Sequence, residues 1–232
     1  MWVILASDPG TPGWPNEDFA AVAPGAAVLL DGATTFPRGA DTGCIHGVAW
    51  YARTLGTTLL AAITAEPRIP LAAALADAIG QVRAGHEGTC DLASPATPAA
   101  TVTAVRDEPE GIGYLALSDS SIAGDFGDGP PLIVTDSHRG AKASPEAAQR
   151  AVTGTFPRAG LRGVALLSDG ATRITDRYGL MPWPAVLGVI RDDGPAGLIG
   201  QLRAAEASDP ERARWPRSKA GDDATIIYWR QD

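Results

Sequence analysis

The residues of this chain best suited to chemistry are aspartates that follow short apolar runs. Ala27-Val28-Leu29-Leu30 stops at Asp31-Gly32-Ala33-Thr34, and much later Ala165-Leu166-Leu167 stops at Ser168-Asp169-Gly170-Ala171-Thr172. A short apolar run reads as a strand buried on both faces, and a carboxylate followed by glycine marks where the chain leaves the core. Each Asp-Gly alone is a common turn signal. The echo is what points to two carboxylates brought to one place, where they repel unless something positive lies between them. Asn16-Glu17-Asp18 precedes the apolar run over residues 19–22, and Asp222-Asp223 opens the run over residues 224–229. Four acidic strand ends then converge. Hard oxygen donors with no histidine or cysteine among them suit Mg²⁺ or Mn²⁺ better than zinc.

The elements that must position these groups follow from the pattern. Residues 2–6 read as a first strand, and 19–22 and 26–30 as two more around Pro24-Gly25, an opening β-meander. A loop with Pro37, Gly39 and Gly43 leads to residues 45–63, where Val48, Tyr51, Ala52, Leu55, Leu59 and Ala62 recur at helical spacing. Residues 71–83 do the same with Leu71, Leu75, Ala78, Ile79 and Val82, and both stripes read as core-facing. After a Pro-rich loop over 93–98, strands at 101–105, 112–117, 122–123 and 132–135 make a second run of hairpins. Ser144-Pro145-Glu146 starts a short helix with an N-cap and an acid in its first turn. A strand over 163–168, helices over 183–190 and 196–205, a charged loop and a closing strand over 224–229 complete the chain. Strands bunch, then helices, then strands again, which is an α+β order. No linker divides the chain, so one domain over residues 1–232 is expected.

The bulk numbers narrow the function class. In 232 residues, 45% hydrophobic and 20% charged content is ordinary for a globular chain with a substantial core. A net charge of −8 argues against nucleic-acid or anionic-membrane partners, which need a basic surface. The densest basic group, Arg212, Arg214, Arg217 and Lys219, reads as a solvated loop. Cys44 and Cys90 form no CxxC and no histidine-rich cluster, so neither a zinc ligand set nor a disulfide framework is visible. The start, MWVILASDPG, lacks the basic flank and cleavage site of a signal peptide, and no apolar run approaches the ~20 residues of a membrane span. A cytoplasmic protein is expected.

Taken in order, NED before a strand, LLDGAT, ATVTAV, LALSDSSIAG, VALLSDGAT and GDDATIIYW resemble the type 2C (PPM) metal-dependent protein phosphatases over nearly the whole chain. The composition and the phrases TGCIHGVAWYARTLG and RWPRSKAGDDAT look like small stand-alone bacterial members from actinobacteria. The resemblance implies a four-layer α/β/β/α sandwich, two central antiparallel sheets flanked by helices, with two Mn²⁺ or Mg²⁺ ions at one end. It implies that Asp31 and the carbonyl of Gly32 serve the ions, that Asp169 and Asp222 hold one of them, and that Asp18 lies beside their waters with Glu17 next to it. Asp223 stands where the family has asparagine. Asp119, in Ser118-Asp119-Ser120, matches the position associated with a weaker third ion; a plain Asp-Ser turn is the other reading. Two ions about 3.5–4 Å apart lower the pKa of a shared water, which attacks phosphorus in line. No protein nucleophile is then required, in keeping with only three histidines (His46, His86, His138) and no GxSxG motif.

The chain also departs from the family. Asp31-Gly32-Ala33 lacks the histidine of the family's DGHGG, assigned as general acid, and Gly13-Trp14 stand where the phosphate-gripping arginine is usual. Acid–base assistance is worth about 10²–10⁴-fold, so a slow phosphoserine/phosphothreonine phosphatase is expected. Two other readings are a phosphoprotein-binding or regulatory module that has lost turnover, and a small-molecule phosphatase. His46 stands shortly after Asp31-Gly32. It either donates a proton in place of the missing histidine or caps and packs locally at a helix start. The oligomeric state is not legible.

Overall fold

Alternation of side chains along three buried strands builds the layers. In β3 (Ala26–Leu30), Ala26, Val28 and Leu30 join an apolar cluster with α1 (Val48–Ala65) and α2 (Leu71–His86), while Ala27 and Leu29 join a second cluster on the other face. β11 (Gly163–Leu167) and β12 (Ala224–Arg230) do the same from the opposite sheet. Their Val164, Leu166, Ile227 and Trp229 meet β3 in the inter-sheet cluster, and Ala165, Leu167, Ile226 and Tyr228 face α3 (Asp169–Asp176) and α4 (Trp183–Ala207). The result is the expected α/β/β/α sandwich. Its middle seam, with Phe156 and Trp229 each 1% exposed, is where a buried large side chain contributes roughly 1.5–3 kcal/mol.

One sheet runs β1 (Trp2–Asp8), β12, β11, β8 (Ser121–Asp125), β9 (Leu132–Thr135). The other runs β10 (Val152–Pro157), β7 (Gly111–Leu117), β6 (Val102–Glu108), β3, β2 (Phe19–Ala23), and every pairing is antiparallel. A two-residue ladder joins β4 (Gly32–Ala33) to β5 (Ala99–Ala100). The computed structural model describes residues 2–33, 42–94, 96–127, 129–136 and 145–231. Thr34, Pro37, Gly39, Pro95, His138 and Ser144, all used in the sequence reading, lie outside them.

Several expectations need correction. The opening is not a meander, because β1 leaves β2 and pairs with β12, Trp2 opposite Arg230. β10 is hidden in the sequence because Val-Thr-Gly-Thr-Phe-Pro carries a glycine and a proline that an edge strand tolerates. α3 is hidden because its Asp-Gly start also reads as a turn. The helices expected at 183–190 and 196–205 are two arms of α4, broken at Gly194, whose φ of 78° precedes Pro195. Arg217 is 8% exposed and not solvated: its guanidinium bonds Asp209 Oδ2 at 2.7 Å and the carbonyls of Glu206, Asp209, Trp215 and Ala220. No helix among the described residues is long and apolar enough to cross a membrane.

Candidate metal centre

Asp31 emerges from β3 into a backbone clamp. Its N–H donates to Thr101 Oγ1 at 3.2 Å and its carbonyl accepts the Thr101 N–H at 2.8 Å, while Thr101 Oγ1 meets Ser120 Oγ at 2.5 Å. Gly32 N–H donates to the Glu17 carbonyl at 3.1 Å, which joins the end of β3 to the Asn16-Glu17-Asp18 turn. A Cβ at Gly32 would lie 2.5 Å from that carbonyl oxygen and 2.5 Å from Val48 Cγ1, so the approach requires glycine. The turn itself is shaped by Asn16, whose Oδ1 accepts the Asp18 N–H at 2.9 Å.

The second pair of strand ends is locked in the same way. Ser168 N–H donates to the Thr225 carbonyl at 3.0 Å, and Thr225 N–H donates to Ser168 Oγ at 2.9 Å, so the end of β11 and the start of β12 cannot part. Asp169 follows as the first residue of α3, and a Cβ at Gly170 would collide with the Asp223 carbonyl oxygen. Asp223 turns inward, accepting the N–H groups of Gly10 at 2.9 Å and Glu17 at 2.8 Å. Asp222 takes the other side, ion-paired with Arg173 and, at 2.7 Å, with Lys219 Nζ.

Four carboxylates thereby share one field. Burial, followed by the charges of Asp18 and Asp169, holds the Asp31 carboxyl well above the usual carboxylate range. Burial chiefly raises Asp18 to about 7, with the Asp223 charge adding, and nearby hydroxyls of Thr225 and Ser168 oppose it only in part. Burial also raises Asp169, with Asp222 and Asp119 adding to it and Arg173 partly offsetting it. Both carboxylate oxygens of Asp18 are shut off from solvent and have no hydrogen-bond partner among the described residues. Orphaned, mutually repelling hard oxygens fit a divalent cation of the Mg²⁺ or Mn²⁺ type.

Asp119 lies beside these groups, after Ser118, whose φ is 70° and whose backbone exchanges hydrogen bonds with Asp136 at 3.0 and 3.2 Å. It lines a cleft of about 330 Å³ with Asp169, Thr172, Arg173, Asp176 and Arg177. Sequence reasoning misses Arg173 and Arg177. Arg173 Nη2 pairs with Asp222, and its Nη1 is buried without a partner among the described residues. A signal is present, since Asp169, Arg173 and Arg177 are four apart, but it is legible only once the segment is read as a helix.

His46 keeps different company. Its ring stacks on Trp50 at 3.9 Å and meets His86 edge-on at 4.9 Å, and its Nδ1 lies 3.8 Å from Cys44 Sγ and 3.6 Å from Cys90 Sγ. The expectation that the cysteines stand apart from any histidine cluster is therefore overturned. The fold brings together residues about forty positions apart, a distance at which sequence spacing carries no signal.

The protein phosphatase 2C family model matches residues 11–194. No curated protein is similar enough in sequence to be matched. Among solved structures, the PPM Ser-Thr phosphatase MsPP from Mycobacterium smegmatis, in complex with cacodylate, is 19% identical with a TM-score of 0.60, covering 100% of this chain and 99% of that one. The catalytic domain of the serine threonine protein phosphatase PstP, in complex with 2 manganese ions, is 16% identical with a TM-score of 0.61, covering 99% and 97%. A bacterial serine phosphatase is 15% identical with a TM-score of 0.60, covering 100% and 98%. With its motifs in order and its layers matched, the chain belongs to the protein phosphatase 2C family of metal-dependent serine/threonine phosphatases.

Proposed function

We propose that this protein hydrolyses phosphoserine and phosphothreonine esters of proteins with two Mn²⁺ or Mg²⁺ ions held by Asp18, Asp31, the Gly32 carbonyl, Asp169 and Asp222, and a third, weaker ion near Asp119. The observation that carries the reading is the convergence of Asp18, Asp31, Asp169 and Asp222, with both Asp18 oxygens buried and unpartnered among the described residues. The two manganese ions of PstP support the choice of metal. When bound, such ions supply an activated water and positive charge against the phosphoryl oxygens. Thr101, Glu17 and Ser168 fix the backbone on which the acids stand, so their positions are set before substrate arrives.

Arg173 stands in for the arginine absent at Gly13-Trp14. Arg173 and the neighbouring Arg177 line a cleft that also holds Asp119 and Asp169, where a phosphoryl oxyanion would sit among fixed donors. The cacodylate bound to MsPP is a tetrahedral oxyanion of the same kind. His46 is engaged with two sulfurs and does not serve as general acid here, so esters with poor leaving groups react slowly.

The departure at Ala33 supports a second reading, a phosphoprotein-binding module with little turnover. Hydrolysis of p-nitrophenyl phosphate and of a phosphothreonine peptide, each with and without MnCl₂, decides between them. Mn²⁺-dependent hydrolysis of both, lost in Asp31→Asn, is expected; tight peptide binding with no phosphate release would establish the module instead.

A further inference from the structure

Cys44 and His46 lie just before α1, His86 is the last residue of α2, and Cys90 follows one turn later. One ligand atom from each, sulfur or imidazole nitrogen, lies within 4.8 Å of the other three. Both thiols are free, and the sulfurs are 3.0 Å apart.

We propose that Cys44, His46, His86 and Cys90 form a structural zinc site that staples the start of α1 to the end of α2. Two thiolates and two imidazoles are a tetrahedral zinc donor set, with four protein ligands closing the site to substrate. With bonds of about 2.3 Å to sulfur and about 2.0 Å to nitrogen, a regular tetrahedron places sulfur and nitrogen about 3.5 Å apart and the sulfurs about 3.8 Å apart. The observed His46 Nδ1 separations of 3.6 and 3.8 Å match, and the sulfurs, 3.0 Å apart, have to move apart.

The surroundings are built for a ligand. His86 is 3% exposed and its Nδ1 lies 2.8 Å from the Val82 carbonyl, which fixes that nitrogen as the donor and leaves Nε2 bare. A backbone carbonyl on the far ring nitrogen is how metal-bound histidines are oriented. Trp50 covers the group, stacked on His46 and edge-on to His86 at 4.9 Å. The Cys90 N–H donates to the His86 carbonyl at 3.2 Å, and the Asp91 N–H to the Gly43 carbonyl at 2.6 Å, so the two ligand segments are already tied by backbone.

The site explains how α1 starts. Gly47 occupies the N-cap and no side chain caps the helix, yet Val48, its first residue, packs against Gly32 next to Asp31. A metal staple just upstream holds that contact. Zinc here is thus a positioning element for the acidic centre and takes no part in its chemistry.

The test uses the full chain purified under reducing conditions without chelator. Metal analysis is expected to give one zinc per chain, retained in Asp31→Asn and Asp169→Asn, and lost in Cys44→Ser and in Cys90→Ser. Refolding with CoCl₂ in place of zinc is expected to give the thiolate charge-transfer and intense visible bands of tetrahedral cobalt. The zinc content and the cobalt spectrum of the wild-type chain stand even if a cysteine variant fails to fold. Zinc-free protein with no cobalt–thiolate spectrum, or a Cys44–Cys90 disulfide in the native protein by mass, overturns the proposal. Loss of zinc in Asp31→Asn but not in Cys44→Ser also overturns it, by placing the metal in the acidic cleft.

Discussion

The Asp223 carboxylate accepts the backbone N–H of Glu17 at 2.8 Å, across 206 positions of sequence. With its other oxygen it accepts the Gly10 N–H at 2.9 Å. Asp223 is thus the post that holds the N-terminal acidic turn against the last strand. Hydrogen bonds to a charged group contribute about 1.5–3 kcal/mol each. Asp223→Ala is expected to destabilise the chain by about 2–4 kcal/mol in urea unfolding, and to weaken Mn²⁺ binding because Asp18 follows Glu17. Asp223→Asn, which keeps one carbonyl acceptor, is expected to lose about half as much. An unchanged midpoint in both variants would show that the post contributes nothing.

In the absence of metal the acidic centre works against folding as pH rises. Asp18 titrates at about 7 in the folded chain against ~3.9 unfolded, and burial raises Asp31 and Asp169 too. A carboxyl with a raised folded pKa binds its proton more tightly when folded, so its stabilising contribution is present below about pH 4 and is lost as pH climbs through about 7. EDTA-treated protein is expected to melt at a lower temperature at about pH 8 than at about pH 5, with a flatter slope in Asp18→Asn. Millimolar Mn²⁺ is expected to reverse the slope, because the ion needs ionised ligands and binds the folded state alone. Superimposed melting curves with and without Mn²⁺ would exclude a metal centre.

Arg173 pairs with Asp222 through Nη2 and lines the cleft, and its Nη1 is buried without a partner among the described residues. If Nη1 holds phosphate in the ground state, Arg173→Ala is expected to raise KM for p-nitrophenyl phosphate about tenfold, with a smaller change in kcat. A fall in kcat and in Mn²⁺ affinity at unchanged KM would mean that Arg173 serves only to neutralise Asp222.

What is legible in the sequence is whatever ends abruptly. Leu30 to Asp31 and Leu167 to Asp169 are sharp changes from apolar run to carboxylate, and the fold gathers the acidic groups they flag. The helical stripes of α1 and α2 are equally clear, since Leu55, Leu59, Leu75 and Ile79 are spaced by the period that buries them. Illegible are the places where one signal has two meanings. Asp169-Gly170 ends a strand and also begins α3, so Arg173 is hidden. Arg217 sits in a run of charges that looks solvated, yet it is enclosed because Asp209 and four carbonyls satisfy it. Cys44 and Cys90 meet only because α1 and α2 pack against each other, a tertiary fact that pair spacing cannot encode.

Gly32 offers the sharpest test of how tightly the centre is built. An added Cβ would lie 2.5 Å from the Glu17 carbonyl oxygen, 2.5 Å from Val48 Cγ1 and 3.1 Å from Glu17 Cβ. The valine methyl can be removed, whereas the carbonyl is fixed by the 3.1 Å hydrogen bond that Gly32 N–H itself donates to it. Overpacking of this kind costs about 1–3 kcal/mol, and in a chain of this length each kcal/mol lowers Tm by about 2–4 °C. Gly32→Ala is therefore expected to melt several degrees lower and to need more Mn²⁺ for half-maximal stabilisation, because the displaced Glu17 carries Asp18 with it. Gly32→Ala combined with Val48→Ala is expected to regain little of either loss, the carbonyl clash remaining. Full recovery in the double variant would show that Gly32 is needed only to admit Val48, and that the backbone bond to Glu17 does not set the position of Asp18.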